Sequence, residues 1–195
     1  MTFAAIADIH GNLPALEAVL SDIARRRVAQ IVNLGDLLSG PLWPADTADR
    51  LQALDLPTIA GNHERQLLTL PFEQMGPSDQ YTIRAISQSQ LAYLRALPAT
   101  LTYYDALLCH GTPQSDLAYF LHQRRPDVVH PATVEQIEAQ ATRARLTLCG
   151  HTHLPGQVRL ADGRLIVNPG SAGLPAYTDD SPYPHSMQAG TPHAR

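Results

Sequence analysis

Short apolar runs that end in glycine or a polar residue recur along this chain of 195 residues. Three of them, FAAIAD (3–8), QIVNLGD (30–36) and LPTIAGNHE (56–64), are typical of buried parallel strands. Between them lie two segments with apolar residues at helical spacing, 14–27 and 46–54. Strands that alternate with helices predict a βαβαβ arrangement, and therefore an α/β fold with a parallel sheet and right-handed crossovers.

The second half of the chain repeats this pattern. Apolar runs lead into glycine and histidine at 105–111 and 145–153, and a helix is predicted between them at 133–145. Residues 156–170 contain two apolar stretches around Ala-Asp-Gly, which predicts a hairpin. Residues 176–195 are rich in proline and poor in apolar residues. We therefore expect one domain over residues 1–175, followed by a loop or a disordered tail.

The composition excludes several classes of function. The chain contains no lysine, which excludes a Walker P-loop and Schiff-base chemistry. Fourteen basic and eighteen acidic residues give a net charge of −4, without the basic surface of a nucleic-acid binder. We find no run of 18 apolar residues and no signal peptide, and two cysteines suit a reducing compartment. We therefore expect a cytoplasmic protein with neither a specific nucleic acid nor a membrane as partner.

Side chains that can bind metal stand at the carboxyl ends of five predicted strands. The set comprises two carboxylates, one amide and five imidazoles: Asp8, His10, Asp36, Asn62, His63, His110, His151 and His153. In a parallel α/β sheet, ligands bind in the crevice outside the carboxyl ends of the strands. Most of these residues also lie beside a glycine, which allows tight turns. Metal binding explains the five clusters better than a chance series of polar loops.

The order of these blocks, D-x-H, G-D, G-N-H-E, H and G-H-x-H, resembles the calcineurin-like metallophosphoesterase superfamily. DIHGN together with NPGS (168–171) is similar to its branch of small bacterial phosphodiesterases, and the resemblance covers about residues 3–175. It implies a four-layer α/β/β/α sandwich with two metal ions between its sheets. Relatives continue past NPGS through further strands, so we expect the C-terminal part of the second sheet to be shortened. The exposed edge is compatible with a homo-oligomer.

The resemblance also implies a role for each residue. Seven residues form the implied ligand set: Asp8, His10 and His153 for one ion, Asn62, His110 and His151 for the other, and Asp36 as the bridge. His63 is the implied catalytic residue, which contacts the phosphate and protonates or orients the leaving group. A purely structural role for this histidine stays open. Asn12 and Arg65 are candidates for substrate binding, although a helix cap and a surface charge also explain them.

The chemistry of such a site supports a hydrolase. Two cations about 3.5–4 Å apart can clamp a phosphoryl group and acidify a bridging water. Nitrogen and oxygen ligands without thiolate suit Mn²⁺, Fe, Zn²⁺, Co²⁺ or Ni²⁺, of which we favour Mn²⁺. The expected function is metal-dependent hydrolysis of a small phosphoester, most of all a phosphodiester. Two alternatives stay open: another dinuclear metal hydrolase, and a non-catalytic binding scaffold on the same fold.

Four histidines lie outside these blocks, and we expect them on the surface or in loops: His122, His130, His185 and His193.

Overall fold

The computed structural model describes residues 2–126 and 128–189. Within these residues lie six α-helices: α1 (Leu13–Arg25), α2 (Pro44–Leu54), α3 (Asn62–Thr69), α4 (Pro77–Ala85), α5 (Gln88–Ala96) and α6 (Val134–Gln140). The strands of the same residues are β1 (Ala4–Ile6), β2 (Ile31–Asn33), β3 (Thr100–Tyr103), β4 (Ala106–Cys109), β5 (His122–Arg125), β6 (Val128–Pro131), β7 (Leu146–Leu148), β8 (Gly156–Arg159), β9 (Leu165–Asn168), β10 (Ala176–Asp179) and β11 (His185–Gln188). No helix in the described part of the chain is long and apolar enough to cross a membrane.

The first sheet is parallel and small. β1 pairs with β2, and a single parallel bridge between Asn33 and Thr58 extends the sheet. The prediction of a third strand over 56–64 is therefore wrong beyond this bridge. Two residues explain the difference: Pro57 has no backbone N–H to donate, and Glu64 occupies the third position of α3, where its carboxylate accepts from the backbone N–H of the cap residue Gly61. The chain consequently enters a helix where the apolar run predicts a strand.

The second sheet has five strands in the order β3-β4-β7-β9-β8. β4, β7 and β9 are parallel neighbours, and β3 and β8 pair antiparallel at the two edges. The hairpin predicted over 156–170 is confirmed by the pairing of β8 with β9. The helix predicted over 133–145 forms only as α6, which ends at Gln140.

Alternate residues of the central strands enter different cores, because successive side chains of a strand point to opposite faces. Leu108 and Leu148 pack with Val32 between the two sheets. Their neighbours Cys109 and Cys149 pack in a second core with α6 on the outer face. A third core joins the other face of the first sheet to helices α1 to α5. The result is the predicted four-layer α/β/β/α sandwich.

The segment after residue 175 differs from the expected loop. β10 and β11 form an antiparallel hairpin in which Tyr177 pairs with Met187, and the Met187 side chain is buried. Apolar residues at these paired positions give the hairpin a buried face, while Pro182 and Pro184 lie between the strands, where they interrupt no pairing. The domain boundary at residue 175 stays a prediction, and residues 190–195 of the predicted tail lie outside the described residues.

Candidate metal centre

The predicted site residues converge at one end of the two sheets, and their backbone is unusual. Five of them have positive φ angles: Asp8 (55°), His10 (50°), Asp36 (54°), His151 (67°) and His153 (60°). This left-handed region is uncommon for residues other than glycine, and such strain costs about 1–3 kcal/mol per residue. Conformations of this kind cluster at functional sites, where the surrounding structure maintains them. The left-handed backbone conformations therefore occur at five of the residues that the sequence motifs predict as site residues.

Asp8, His10 and His153 form the first cluster, in which one donor atom of each residue lies within 4.8 Å of the others. The Nδ1 of His10 donates to the carbonyl oxygen of Ser39 at 2.7 Å, so its Nε2 is the nitrogen available to the cluster. That Nε2 lies 3.1 Å from the Nε2 of His153, which in turn lies 3.7 Å from the Oδ1 of Asp8. All three side chains are buried.

Asp36, His110 and His151 form the second cluster. The Nδ1 of His110 donates to the Leu34 carbonyl at 2.7 Å, and its Nε2 lies 3.1 Å from the Oδ2 of Asp36. The Oδ1 of Asn62 lies 3.1 Å from the same Nε2, which brings the predicted amide to the cluster. The Nε2 of His151 donates to a backbone carbonyl at 3.1 Å, leaving Nδ1 for the cluster.

Asp36 stands between the two clusters. Its Oδ2 lies 3.1 Å from His110 Nε2 and 3.9 Å from His10 Nε2, and its Oδ1 accepts from the backbone N–H of His63 at 3.0 Å. The carboxylate lies directly against the backbone of Gly61, where a Cβ would overlap Oδ1. The glycine of GNHE is therefore required for the approach of this carboxylate.

Glu64 fixes the loop that carries Asp36. Its buried carboxylate accepts from the backbone N–H groups of Asp36 (2.8 Å), Leu37 (2.9 Å) and Gly61 (2.8 Å). The metal-binding motifs do not include Glu64, although a glutamate three residues after a helix cap is a recognisable capping signal.

His63 lies beside both clusters. Its ring centroid is 5.3 Å from that of His10, and its Nδ1 lies 2.7 Å from the Oδ1 of the buried Asp79. A donor atom of His63 also falls within 4.8 Å of donors on His10 and Asp36. Asp79 could not be identified from the motifs, because it follows His63 by 16 residues and lies in α4, which the apolar pattern does not predict.

The two candidate substrate residues have structural partners. Asn12 caps α1 by accepting from the N–H of Ala15, and its amide donates to the carbonyl of Gly173 at 2.9 Å. Arg65 forms a two-pronged ion pair with Asp116, at 2.5 and 3.0 Å. Arg65 also lines a cavity of about 330 Å³ that reaches His110. Substrate contact by either residue stays a prediction.

In the metal-free protein, burial and neighbouring charges shift the pKa values of the five site histidines, some downwards and some upwards. Burial lowers the pKa of three of them: His10 to about 4, His151 to about 3 and His153 to about 3. Burial is also the largest single influence on two others, but nearby carboxylates and hydrogen bonds together outweigh it and raise the pKa: Asp36 and Asp79 raise that of His63 to about 9, and Asp36 and Asp8 raise that of His110 to about 10. Burial raises the pKa of Asp8 to about 7.

The donor atoms fit a divalent cation. The Oδ2 of Asp8 is buried and has no hydrogen-bond partner among the described residues, a costly state for a carboxylate oxygen unless a cation balances it. The three histidines with lowered pKa are neutral near pH 7, the form in which imidazole binds metal. Both clusters offer nitrogen and oxygen donors, which suit transition-metal ions.

The sequence model of the calcineurin-like phosphoesterase superfamily domain matches residues 1–186. The chain belongs to this superfamily. The D-x-H, G-D and G-H-x-H blocks of the sequence supply side chains that the structure brings together in the two clusters.

The chain is also similar to solved structures and to one sequence relative. A metallophosphoesterase from Sphaerobacter thermophilus is 25% identical, with a TM-score of 0.71 over 96% of this chain and 88% of that chain. The hypothetical protein PH1004 from Pyrococcus horikoshii OT3 is 18% identical, with a TM-score of 0.74 over 96% and 88%, and shows the same fold. The uncharacterized protein MJ0912 from Methanocaldococcus jannaschii is 26% identical over 88% of this chain and 76% of its own length.

Proposed function

We propose that this phosphoesterase hydrolyses small phosphodiesters with two divalent transition-metal ions. Asp8, His10 and His153 would hold one ion, while Asn62, His110 and His151 would hold the other. The observation that carries the proposal is the position of Asp36, whose Oδ2 faces a histidine of each cluster at 3.1 and 3.9 Å. A carboxylate can join two cations, whereas an imidazole or an amide does so poorly.

When bound, two such ions would activate a water molecule and neutralise charge on the phosphoryl oxygens. The chain's own residues orient the ligands: Ser39 and Leu34 fix the rings of His10 and His110 through their carbonyl oxygens. His63 would protonate the leaving group. Asp79 engages its Nδ1, so the proton available to a substrate is the one on Nε2.

The expected substrate is small and anionic. Four positive charges on two ions against the two carboxylates Asp8 and Asp36 leave a positive excess that favours a phosphate ester. A net charge of −4 argues against long nucleic acids, which require a basic surface. Arg65 is better placed than Asn12 to contact the substrate, because its cavity reaches His110 while the Asn12 amide already has two partners.

The test combines metal content with activity. Protein stripped with a chelator would be reloaded with Mn²⁺ and assayed on bis-p-nitrophenyl phosphate and p-nitrophenyl phosphate. We expect two ions per chain and faster hydrolysis of the diester. Asp105→Asn is a matched control, because Asp105 is an exposed acid outside the clusters. Fewer than two ions at saturation would contradict the dinuclear site, and two ions without hydrolysis of either ester would favour a binding scaffold.

A further inference from the structure

Aromatic side chains from two separate parts of the chain meet over the two histidines of GHTH. Tyr119 precedes β5, Tyr177 lies in β10, and His185 begins β11. We call these three residues the tyrosine clamp. The histidine was expected on the surface or in a loop, and the region of Tyr177 was expected to be loop, so neither was connected with the site.

Each tyrosine ring of the clamp contacts one histidine of the metal centre. The Tyr177 ring meets His153 with centroids 4.6 Å apart and planes at 63°, and the Tyr119 ring meets His151 at 5.2 Å and 70°. These are edge-on arrangements, which aromatic pairs favour. Because His151 and His153 belong to different clusters, the two tyrosines contact one ligand candidate on each side of Asp36.

Hydrogen bonds join the clamp into one unit. The Nδ1 of His185 donates to the Tyr183 carbonyl at 2.7 Å, so in the neutral ring Nε2 accepts. The hydroxyl of Tyr119 therefore donates to His185 Nε2 at 2.8 Å, and its oxygen lies 2.5 Å from the hydroxyl of Tyr177. The Tyr177 hydroxyl also lies 3.5 Å from the carbonyl oxygen of His151. One side chain thus touches the ring of His153 and the backbone of His151.

The GHTH loop is otherwise held from its backbone side. The Nδ2 of Asn168 donates to the carbonyl of Gly150 at 2.6 Å and to the hydroxyl of Thr152 at 3.1 Å. Those contacts fix the loop but not the imidazole rings. The His151 ring has one hydrogen bond of its own, from Nε2 to the Leu117 carbonyl at 3.1 Å, and the His153 ring lies between His10 and Tyr177. Packing by the two tyrosines therefore adds contacts to the rings that the loop does not supply.

Arg124 anchors the clamp. Its guanidinium lies 4.2 Å from the centre of the Tyr119 ring and donates to the Ser181 carbonyl at 2.9 Å. Ser181 lies between β10 and β11, so the same side chain ties Tyr119 to the hairpin.

We infer that the tyrosine clamp fixes the rings of His151 and His153, and that Tyr177 is a positioning residue for both metal sites. The inference rests on the proposed function, because it assigns one of these histidines to each ion. It gives the C-terminal hairpin a role in metal binding. Residues that orient metal ligands typically contribute 10–100-fold to metal affinity.

The test uses Co²⁺ alone, because its visible absorption reports the coordination geometry. Chelator-treated wild type, Tyr177→Leu and Tyr183→Leu would be titrated with Co²⁺ while the spectrum and the dissociation constants are recorded. Tyr177→Leu removes both the ring against His153 and the hydroxyl near the His151 carbonyl, so we expect it to weaken the binding of both ions about 10-fold and to change the spectrum. Tyr183→Leu removes an exposed ring near the same hairpin and should leave both unchanged.

A second pair of variants tests the hydrogen-bond chain. His185→Gln retains an acceptor for the Tyr119 hydroxyl and should keep Co²⁺ affinity near that of wild type, whereas His185→Ala should weaken it. Thermal unfolding of the metal-free variants confirms that each is folded. Wild type that binds fewer than two Co²⁺ ions would overturn the proposed function and this inference with it. Two ions in wild type, with unchanged affinity and spectrum in Tyr177→Leu, would overturn the inference alone.

Discussion

The Nδ1 of His63 lies 2.7 Å from the Oδ1 of Asp79, which joins the second residue of α3 to the first turn of α4. Asp79 is buried, and the carboxylate can only accept from the ring. Burial alone lowers the pKa of His63, but Asp36 and Asp79 together raise it to about 9. The pair thus orients the ring of a histidine that is protonated near neutral pH in the metal-free protein.

The first prediction concerns His63. Because the proposal makes it a proton donor and not a ligand, His63→Gln should retain two metal ions and lose roughly 10²–10⁴ in rate. The loss should be largest for poor leaving groups and smaller for nitrophenolate, which departs without a proton. The measurement is the rate for a series of leaving groups, with metal content determined on the same samples.

Asp79→Asn is the companion variant, since it removes the charge beside His63 and keeps the size of the side chain. It should lower the rate in the same leaving-group-dependent way, by a smaller factor. Loss of a metal ion in His63→Gln would show that this residue is a ligand, as its place beside His10 and Asp36 also allows. An equal loss for all leaving groups would eliminate the proton-donor role.

The second prediction concerns Asp36. Asp36→Asn keeps an oxygen to accept from the His63 N–H but removes the charge shared by the two clusters. It should weaken the binding of both ions, and activity should fall with metal content. Calorimetric titration with Mn²⁺ measures this, with Asp105→Asn as the control. Weakening at one site alone would show that Asp36 belongs to a single ion.

The convergence of the site could be predicted from the sequence because one rule of sheet geometry covers it. His10 and His153 are 143 residues apart, yet each follows a strand of the sandwich and their Nε2 atoms lie 3.1 Å apart. Strand ends at one edge must meet wherever they lie in the chain. The four layers themselves were supplied by the family resemblance, not by the apolar periodicity.

Side-chain partners from other elements could not be predicted in the same way. Asp79 and Tyr177 reach the site from α4 and β10, elements that the apolar pattern did not predict. The hairpin was missed because its prolines dominated the composition, although they lie between the strands. The apolar run before GNHE predicts a strand, but the capping contact of Glu64 favours the start of a helix at Asn62.

The third prediction concerns that capping residue. Glu64→Gln leaves one oxygen for three backbone N–H groups and turns an amide N–H₂ towards donors. An unsatisfied buried donor costs about 1–3 kcal/mol, so we expect the free energy of unfolding to fall by about that amount in urea denaturation. The exposed Glu73 gives the matched control: Glu73→Gln should change stability little. An equal effect of the two substitutions would contradict the role of Glu64.

The fourth prediction is that the metal-free protein is most stable near neutral pH. Burial lowers the pKa of three histidines in the folded state, to about 4 for His10 and about 3 for His151 and His153. The unfolded chain therefore binds more protons on them between about pH 4 and 6.5, and the free energy of unfolding rises with pH there. Burial raises the pKa of Asp8 to about 7 and also raises that of Glu64, and these two groups oppose the rise that the three histidines cause.

Above about pH 6.5 the free energy of unfolding changes with pH in the opposite direction. Burial lowers the pKa of His63 and His110, but Asp36 together with Asp79 for His63 and with Asp8 for His110 outweighs it and raises the values to about 9 and about 10. The folded state keeps protons on them that the unfolded chain has lost, so the free energy of unfolding falls as pH rises. Urea midpoints of chelator-treated protein at about pH 5, 7 and 9 should therefore be highest at pH 7. A urea midpoint that is highest at pH 5 or at pH 9 would show that the protonation of these buried histidines does not control the stability of the metal-free protein.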